Sequence, residues 1–311
     1  MMTRSMAWQS TWRFLLLVLG VGLLIALLYQ HSEERGRRGV GIQELKSSNP
    51  GHLSMAVFYP ARGGGQFSKA GGFEVYGVND AEPAAGRFPV IVVAHGSYAS
   101  AYAHHDTASY LSLSGFIVLA IEHNVSADTA ELRAREVSLA LDVLLKSPLA
   151  GLVDKERIGI IGHELGAEAA MLLTGNAALE DDTGCDTPSG CDARYHLWDK
   201  RIRAALLLSP LGTVATRKDA AVTIPLGVIQ AGAGNGRILE HASIGLRSHP
   251  ASLMLLERVP LAGGNVFFAP CEEPLKSERK DLCVDHPLVD RQQVHALLNG
   301  LAVSFFYNAL P

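Results

Sequence analysis

The stretch GIIGHELGAEAA, residues 159–170, predicts a strand that enters a tight turn and continues as a helix. Its glycines Gly162 and Gly166 let the backbone fold sharply, so the side chain of Glu164 projects from the centre of the turn. A carboxylate in this position can act as a nucleophile, as a proton acceptor, or as a charge that stabilises the helix N-terminus. Which of these applies depends on the side chains that the fold brings beside Glu164.

Five histidines belong to expected strand ends or loops that meet near this turn: His95, His104, His105, His123 and His163. None of the five is expected to act as a catalytic base: His95 and His123 end strands and are expected to orient loops by hydrogen bonding, and His163 is expected to point away from the cleft. No H-x-x-x-H or H-E-x-x-H spacing supports a metal site, and no cofactor is expected.

The order of elements around these residues predicts one α/β domain. Short apolar runs rich in β-branched residues predict buried strands at Phe88–Gly96, Gly115–His123, Arg157–His163, Ile202–Pro210, Ile224–Gly232 and Ala251–Val259. The alternating stretch HLSMAVFYP, residues 52–60, predicts an earlier strand, and Ala127–Ser147 is the clearest helix. Because strands alternate with helices, we expect a mostly parallel central sheet with helices on both faces and ligands at the carboxyl ends of its strands.

From about Leu53 to Leu310 the chain resembles the α/β-hydrolase family, in particular the esterases similar to dienelactone hydrolase and platelet-activating-factor acetylhydrolase. The resemblance rests on VVAHG, GFIVLAIEHN, GHELG, DKRIRAALLLSP and a C-terminal FFAPC…DRQQVH…FFYNAL stretch. In that family the turn reads G-x-S-x-G and carries the nucleophilic serine. Glu164 stands in the place of that serine.

The resemblance also implies positions for the rest of the machinery. The oxyanion hole would be formed by the backbone amides of Ser97 and Leu165. The family's acid follows the strand IPLGVIQAG, where Asn235 is the nearest polar residue, and its histidine follows the strand ASLMLLERV, where Asn265 is. Because Asn can neither stabilise an imidazolium as a carboxylate does nor transfer a proton as imidazole does, both triad regions are expected to be degenerate.

Two interpretations of Glu164 follow. In the favoured one, the helix dipole and the oxyanion-hole amides stabilise its carboxylate, which stays ionised and occupies the place of the substrate oxygen. In the other, Glu164 is a working carboxylate that acts with a base outside the usual loop.

The N-terminus predicts a membrane segment. The uncharged stretch Phe14–Tyr29 spans roughly 24 Å at about 1.5 Å per residue, so an uncleaved anchor, a cleaved signal peptide and a buried core helix are all open. We expect residues 1–29 to be the anchor or signal peptide, residues 30–50 a linker, and residues 51–311 the hydrolase-like domain. The net charge of −4 and the lack of a basic, aromatic patch exclude nucleic acid as an expected partner.

The cysteines bear on the compartment. Cys185 and Cys191 lie in one polar insert, Cys271 and Cys283 in another, and neither pair has C-x-x-C spacing. Two local disulfides, Cys185–Cys191 and Cys271–Cys283, are expected, with four free thiols in a cytosolic domain as the alternative. Disulfides would place the domain on the extracytoplasmic side of a membrane.

These observations lead to a main functional hypothesis and two alternatives. The main one is a membrane-anchored protein of the esterase-like family that has lost the Ser-His-Asp mechanism and binds a small acyl or lipid-like ligand or a partner protein. The alternatives are an active ester hydrolase that uses Glu164 with a non-standard base, and a membrane-tethered scaffold with a vestigial cleft.

Overall fold

The structure is a computed structural model that describes residues 38–47, 53–70, 72–97, 99–123, 129–175, 177–178, 197–212, 215–216, 224–233, 253–273 and 275–311. Several predictions fall outside these ranges: the segment Phe14–Tyr29, the residue Asn235, and the pair Cys185–Cys191. Within the ranges above, no helix is long and apolar enough to cross a membrane.

The described elements alternate between strands and helices. The strands are β1 (Arg38–Lys46), β2 (Ser54–Arg62), β3 (Phe67–Ala70), β4 (Phe73–Tyr76), β5 (Val78–Asn79), β6 (Phe88–Ala94), β7 (Ile117–Glu122), β8 (Val153–His163), β9 (Ala177–Ala178), β10 (Ile202–Leu208), β11 (Ala215–Thr216), β12 (Leu226–Ala231) and β13 (Leu253–Val259). The α-helices are α1 (His105–Leu113), α2 (Ala130–Leu144), α3 (Leu165–Leu173), α4 (Leu275–Glu278), α5 (Lys280–Cys283) and α6 (Arg291–Ala309). Short 3₁₀ helices lie at Pro148–Leu152 and Gly264–Phe267.

Nine of the described strands form the central sheet, in the order β13-β12-β10-β8-β6-β7-β2-β1-β5. From β13 to β7 every neighbouring pair is parallel, whereas β2 is antiparallel to both β7 and β1. The expected mostly parallel sheet is therefore confirmed. The carboxyl ends of β6, β8, β10, β12 and β13 lie at the same edge, where a ligand site is expected.

Burial on both faces explains why apolar runs mark the parallel strands. In β6 every residue from Pro89 to Ala94 is buried, and β12 is buried along its whole length. A strand covered on both sides favours a continuous apolar run over an alternating pattern. Each of the six predicted runs contains a strand, which confirms them as strands. The expected burial is wrong for β13, because it lies at the edge of the sheet and leaves Met254 and Leu256 about half exposed.

Two hydrophobic clusters cover the opposite faces of the sheet. The first joins Val90 and Val92 of β6 to Val137 and Leu141 of α2, and it includes α3. The second joins Ile91 and Val93 of the same strand to α1 and α6. Because alternate residues of β6 enter opposite clusters, the prediction of helices on both faces is confirmed.

The boundaries of α2 and α6 follow from local capping. The hydroxyl of Thr129 accepts a hydrogen bond from the Leu132 amide at 3.1 Å, so α2 begins at Ala130 rather than at Ala127. The carboxylate of Asp290 accepts from the amides of Gln292 and Gln293 at 2.9 and 3.2 Å, which fixes the start of α6. This long C-terminal helix packs across the second face of the sheet.

The predicted linker over residues 30–50 is wrong where β1 lies. This strand pairs with β2 along its full length, from Arg38 opposite Arg62 to Lys46 opposite Ser54. The side chains of Val40 and Ile42 are buried in the second cluster, because β1 extends the sheet on its antiparallel side. The domain therefore includes residues from at least Arg38 onward, and the boundary expected at residue 51 falls too late.

Candidate active site

The turn between β8 and α3 has the strained geometry that the sequence predicts. His163 ends the strand and Leu165 begins the helix, so one residue, Glu164, makes the whole reversal. Its φ is +50° and its ψ is −112°, a conformation that costs a non-glycine residue about 1–3 kcal/mol. The cost is offset by backbone hydrogen bonds, from the Glu164 amide to Leu208 O at 2.9 Å and from the Ala167 amide to Glu164 O at 2.9 Å. We call residues Gly162–Gly166 the elbow.

The glycines of the elbow permit a close approach of backbones. A Cβ on Gly166 would lie 2.0 Å from the carbonyl oxygen of Ala94, and one on Gly162 would lie 2.4 Å from the carbonyl oxygen of Gly166. The N-terminus of α3 therefore packs directly against the end of β6. This contact places the elbow beside the loop that follows β6, whatever side chain residue 164 carries.

The carboxylate of Glu164 lies between two glycines on different loops. A Cβ on Gly96, just after β6, would lie 2.8 Å from Glu164 Oε2, and a Cβ on Gly264, after β13, would lie 2.5 Å from Glu164 Oε1. Both distances are too short for a real side-chain carbon. The half-buried carboxylate thus fills the gap between the loop that follows β6 and the loop that follows β13.

This placement corrects the expected role of Glu164 as a cap. The side chain of Glu164 makes no capping hydrogen bond to the helix, so the carboxylate does not occupy the oxyanion hole. Burial raises the pKa of Glu164 above its ordinary value, and the positive charge of Arg133 partly offsets this. The expectation that backbone amides stabilise this carboxylate is therefore wrong, because its position between the two loops removes water without supplying backbone donors.

The amides expected to form the oxyanion hole stay available. Leu165 is the first residue of α3, so its N–H has no acceptor within the helix. Ser97 lies three residues after Ala94, the last residue of β6. Neither N–H donates to a backbone oxygen in the part of the chain that the structure describes. Both amides can therefore meet an acceptor oxygen of a ligand.

The loop where the family carries its histidine offers no base. Asn265 directs its side chain away from the elbow, since its Nδ2 donates to the carbonyl oxygen of Asp281 at 3.0 Å. The preceding residue is Gly264, and Glu164 occupies the space that a side chain there would need. The prediction of a degenerate base region is consistent with this geometry. The corresponding acid region, at Asn235, lies outside the described residues.

Arg133 of α2 is a buried residue beside the elbow that the sequence did not single out. It is almost fully buried, and its guanidinium donates hydrogen bonds to the carbonyl oxygens of His95 and Gly96, the latter at 3.5 Å. It thereby holds the backbone at the end of β6 in place. Its positive charge also lowers the pKa of Glu164 and that of His163. In the sequence, an arginine within the predicted helix Ala127–Ser147 gives no sign of burial.

His163 and His104 lie beside the elbow, where their rings pack against aromatic neighbours. His163 Nε2 donates to the carbonyl oxygen of Gly264 at 3.0 Å, and its ring lies 5.2 Å from that of His104 and 4.7 Å from that of Phe268. Burial is the main cause that lowers the pKa of both histidines, to about 3 for His104 and well below the ordinary value for His163. Both rings are therefore neutral at physiological pH.

The remaining histidines are also held by structural contacts. His95 Nδ1 donates to Gly96 O at 2.7 Å, and His123 Nδ1 lies 2.6 Å from the carboxylate of Glu136. His105 contacts the ring of Phe73 at 5.4 Å, so it faces β4 rather than the elbow. Four of the five candidate histidines thus orient loops or pack near the end of β6, and His105 does not join them.

A buried ion pair on the other face of the sheet also went unnoticed in the sequence. His295 of α6 bonds through Nδ1 to Asp106 of α1 at 2.6 Å and through Nε2 to the carbonyl oxygen of Val266 at 2.8 Å. Burial is the largest influence on the pKa of Asp106 and raises it, but the hydrogen bond to His295 and the charges of His295 and His105 together lower this pKa to about 2. Burial likewise lowers the pKa of His295, but the hydrogen bond and charge of Asp106 raise it above its ordinary value. Because both ring nitrogens are engaged, this pair fixes the loop after β13 rather than acting on a substrate.

The disulfide predicted between Cys271 and Cys283 is confirmed, with a Cα–Cα distance of 5.7 Å. It closes the segment that contains α4 and α5, whose Asp281 carbonyl accepts from Asn265. Among the described residues, no group of three or more His, Cys, Asp or Glu side chains is arranged to hold a metal ion.

The parallel sheet, the helices on both faces and the strained elbow together define an α/β-hydrolase fold. A family model described as PETase, PET hydrolase-like, matches residues 62–180. A ferulic acid esterase from Streptomyces cinnamoneus superposes with a TM-score of 0.56 at 17% identity, over 88% of this chain and 90% of that one. The expected α/β-hydrolase fold is thereby confirmed.

Two characterised hydrolases match part of the sequence. A bis(hydroxyethyl) terephthalate hydrolase from Streptomyces coelicolor is 34% identical over 89 residues, which are 28% of this chain and 28% of that protein. The cutinase est1 from Thermobifida alba is 34% identical over 62 residues, 19% of this chain and 21% of that protein. The matched segments thus span less than a third of either relative.

Proposed function

We propose that this protein is an esterase-type α/β-hydrolase relative that has lost the Ser-His-Asp mechanism and acts by binding a small acyl or lipid-like ligand at the elbow. The observation that carries the proposal is the position of the Glu164 carboxylate between Gly96 and Gly264. It replaces the serine hydroxyl and also fills the space that a base on the loop after β13 would need.

What remains of the machinery favours binding over turnover. The amides of Ser97 and Leu165 depend only on the backbone, so they survive the loss of every catalytic side chain. The family match supports a ligand with an acyl carbonyl group, because a PET hydrolase-like model covers the elbow and the loop after β6. A carbonyl oxygen is the group that such amides accommodate.

An active hydrolase that uses Glu164 is the second candidate, and one observation favours it. A Cβ on Gly96 would lie 3.3 Å from His163 Nδ1 and 2.8 Å from Glu164 Oε2, so both atoms face the same position beside Gly96. Against this candidate, the ring of His163 is inaccessible to solvent and its pKa is well below the ordinary value. Such an imidazole is a weak base with no path to a reacting water.

We further propose that the domain is anchored by Phe14–Tyr29 and lies on the extracytoplasmic side of the membrane. The apolar run supports the first part and the Cys271–Cys283 disulfide supports the second, since structural disulfides persist in oxidising compartments. Cell fractionation followed by protease accessibility of intact cells or spheroplasts tests both parts. A soluble cytoplasmic protein with reduced cysteines would contradict them.

The test of lost catalysis uses the purified full chain. We expect no labelling by a fluorophosphonate probe and no enzyme-like turnover of short aryl esters or of bis(hydroxyethyl) terephthalate. Glu164→Ser alone should remain inactive, because a serine hydroxyl needs an imidazole to accept its proton. Turnover that Glu164→Gln abolishes would instead establish Glu164 as a catalytic carboxylate and favour the second candidate.

A further inference from the structure

The carboxylate of Glu164 is an acceptor whose neighbouring donors are already engaged. The guanidinium of Arg133 donates to the carbonyl oxygens of His95 and Gly96, so it acts on Glu164 through its charge. No side-chain hydrogen bond links Glu164 to the start of α3. A half-buried carboxylate without a donor from the protein is costly unless water or a ligand supplies one.

The imidazole of His163 does not supply this donor. Its Nε2 must carry the proton, because the Gly264 carbonyl oxygen at 3.0 Å can only accept. With a lowered pKa the ring is neutral, so Nδ1 carries a lone pair, and this buried atom has no hydrogen-bond partner among the described residues. The Glu164 carboxylate and His163 Nδ1, which both face Gly96, are therefore hydrogen-bond acceptors.

The amides of Ser97 and Leu165, in contrast, need hydrogen-bond acceptors. These N–H groups are donors that find no backbone acceptor in the described chain. Ser97 follows Gly96, where a Cβ would lie 2.8 Å from Glu164 Oε2, and Leu165 follows Glu164 itself, so both donors flank in the chain a carboxylate acceptor that lacks a donor. A ligand that satisfies both sides must combine an acceptor oxygen with an adjacent N–H donor.

We propose that the site takes a neutral ligand with a carboxamide group, whose C=O accepts from the two amides and whose N–H donates to Glu164. An ester cannot do this, because both of its oxygens are acceptors and one would face the carboxylate. A free carboxylate ligand would add a second negative charge beside Glu164. The inference rests on the proposed binding function and names the ligand class of that same site.

The experiment compares matched probes on the full chain in detergent. Benzamide, methyl benzoate and benzoate share one ring and differ in the group that would meet the elbow, and their dissociation constants can be measured by isothermal titration calorimetry or ligand-observed NMR. At pH 8 we expect benzamide to bind at least tenfold more tightly than methyl benzoate and benzoate. Glu164→Gln should reduce the preference for benzamide over methyl benzoate several-fold, because a neutral amide side chain can also donate to an ester.

Glu156→Gln is the control, since it makes the same change on β8 at an exposed residue outside the site and should leave the preference unchanged. Equal binding of benzamide and methyl benzoate, binding of neither, or a preference that persists in Glu164→Gln would overturn the inference. The proposed function fails in a different way, through turnover of methyl benzoate or of an aryl ester by the unmodified protein.

Discussion

Because the Glu164 carboxylate lies between the loops that follow β6 and β13, we expect its side chain to be energetically coupled to Gly264. A Cβ on Gly264 would lie 2.5 Å from Glu164 Oε1, about 1 Å closer than van der Waals contact allows. The backbone of Gly264 has an ordinary φ, so alanine fits there apart from this one contact. Gly264→Ala should therefore be costly only while the Glu164 side chain is present.

The change in stability caused by Gly264→Ala depends on how the Glu164 side chain moves to make room. Glu164 is the flexible partner, and turning its side chain away from a favoured rotamer costs about 0.5–1.5 kcal/mol. Replacing glycine by alanine also restricts the unfolded chain, which stabilises by about 0.4–1 kcal/mol where the backbone is compatible. In the natural background the two contributions nearly cancel. In a Glu164→Ala background only the second remains, so the coupling free energy should be about 1 kcal/mol.

A double-mutant cycle measures this coupling. The free energy of unfolding is obtained from urea titrations of the natural chain, Gly264→Ala, Glu164→Ala and the double variant. Gly263→Ala is the control, because no described atom lies within 4 Å of a Cβ at that position. If Gly264→Ala changes stability equally with and without Glu164, the carboxylate does not fill the gap between the loops and the argument for an obstructed base region fails.

Three further predictions concern stability. Because burial raises the pKa of Glu164 in the folded state, the stability linked to this group is fully present below the pKa of the unfolded state and is lost as pH rises through the pKa of the folded state. Thermal unfolding should therefore show Glu164→Gln to be more stable than the natural chain by about 1–3 °C at pH 8 and no different at pH 3.5. Asp106→Asn should cost roughly 2–4 kcal/mol in urea titrations at pH 6, since it leaves His295 without its counter-charge, and a cost below about 0.5 kcal/mol would show the pair to be unimportant. Replacing Cys271 and Cys283 by alanine should cost about 2–3 kcal/mol, while an unchanged midpoint would mean that the disulfide constrains little.

The parallel part of the fold was predictable because its signal is local. Each strand from β6 to β13 that is buried on both faces has to be a continuous apolar run, and the elbow requires glycines at fixed positions. β1 gave no such signal, since its residues Gln43 and Glu44 lie among small and apolar ones and its role depends on pairing with β2. The β3–β4 hairpin was missed for the same reason, because its residues are largely exposed.

The candidate site was predictable in its backbone and less so in its side chains. The elbow and the location of Ser97 and Leu165 follow from strand order, which the apolar runs determine. The direction of the Glu164 carboxylate depends on contacts with Gly96 and Gly264, which are distant in sequence from it. Nothing in a single sequence indicates which way a flexible side chain turns at the junction of three loops.

An ionised carboxylate at the elbow would also oppose catalysis by the proposed oxyanion-hole amides. Hydrolysis of an ester would develop a negative charge on the oxygen held by the amides of Ser97 and Leu165, next to Glu164. As a general guide, two like charges about 4 Å apart near a protein surface would repel by roughly 4 kcal/mol. A barrier raised by that amount corresponds to about a thousandfold loss in rate, even if a base and a water molecule were supplied. A neutral ligand with an N–H donor would reverse the sign of the interaction with Glu164, so under the proposed function the arrangement that would hinder hydrolysis would favour binding.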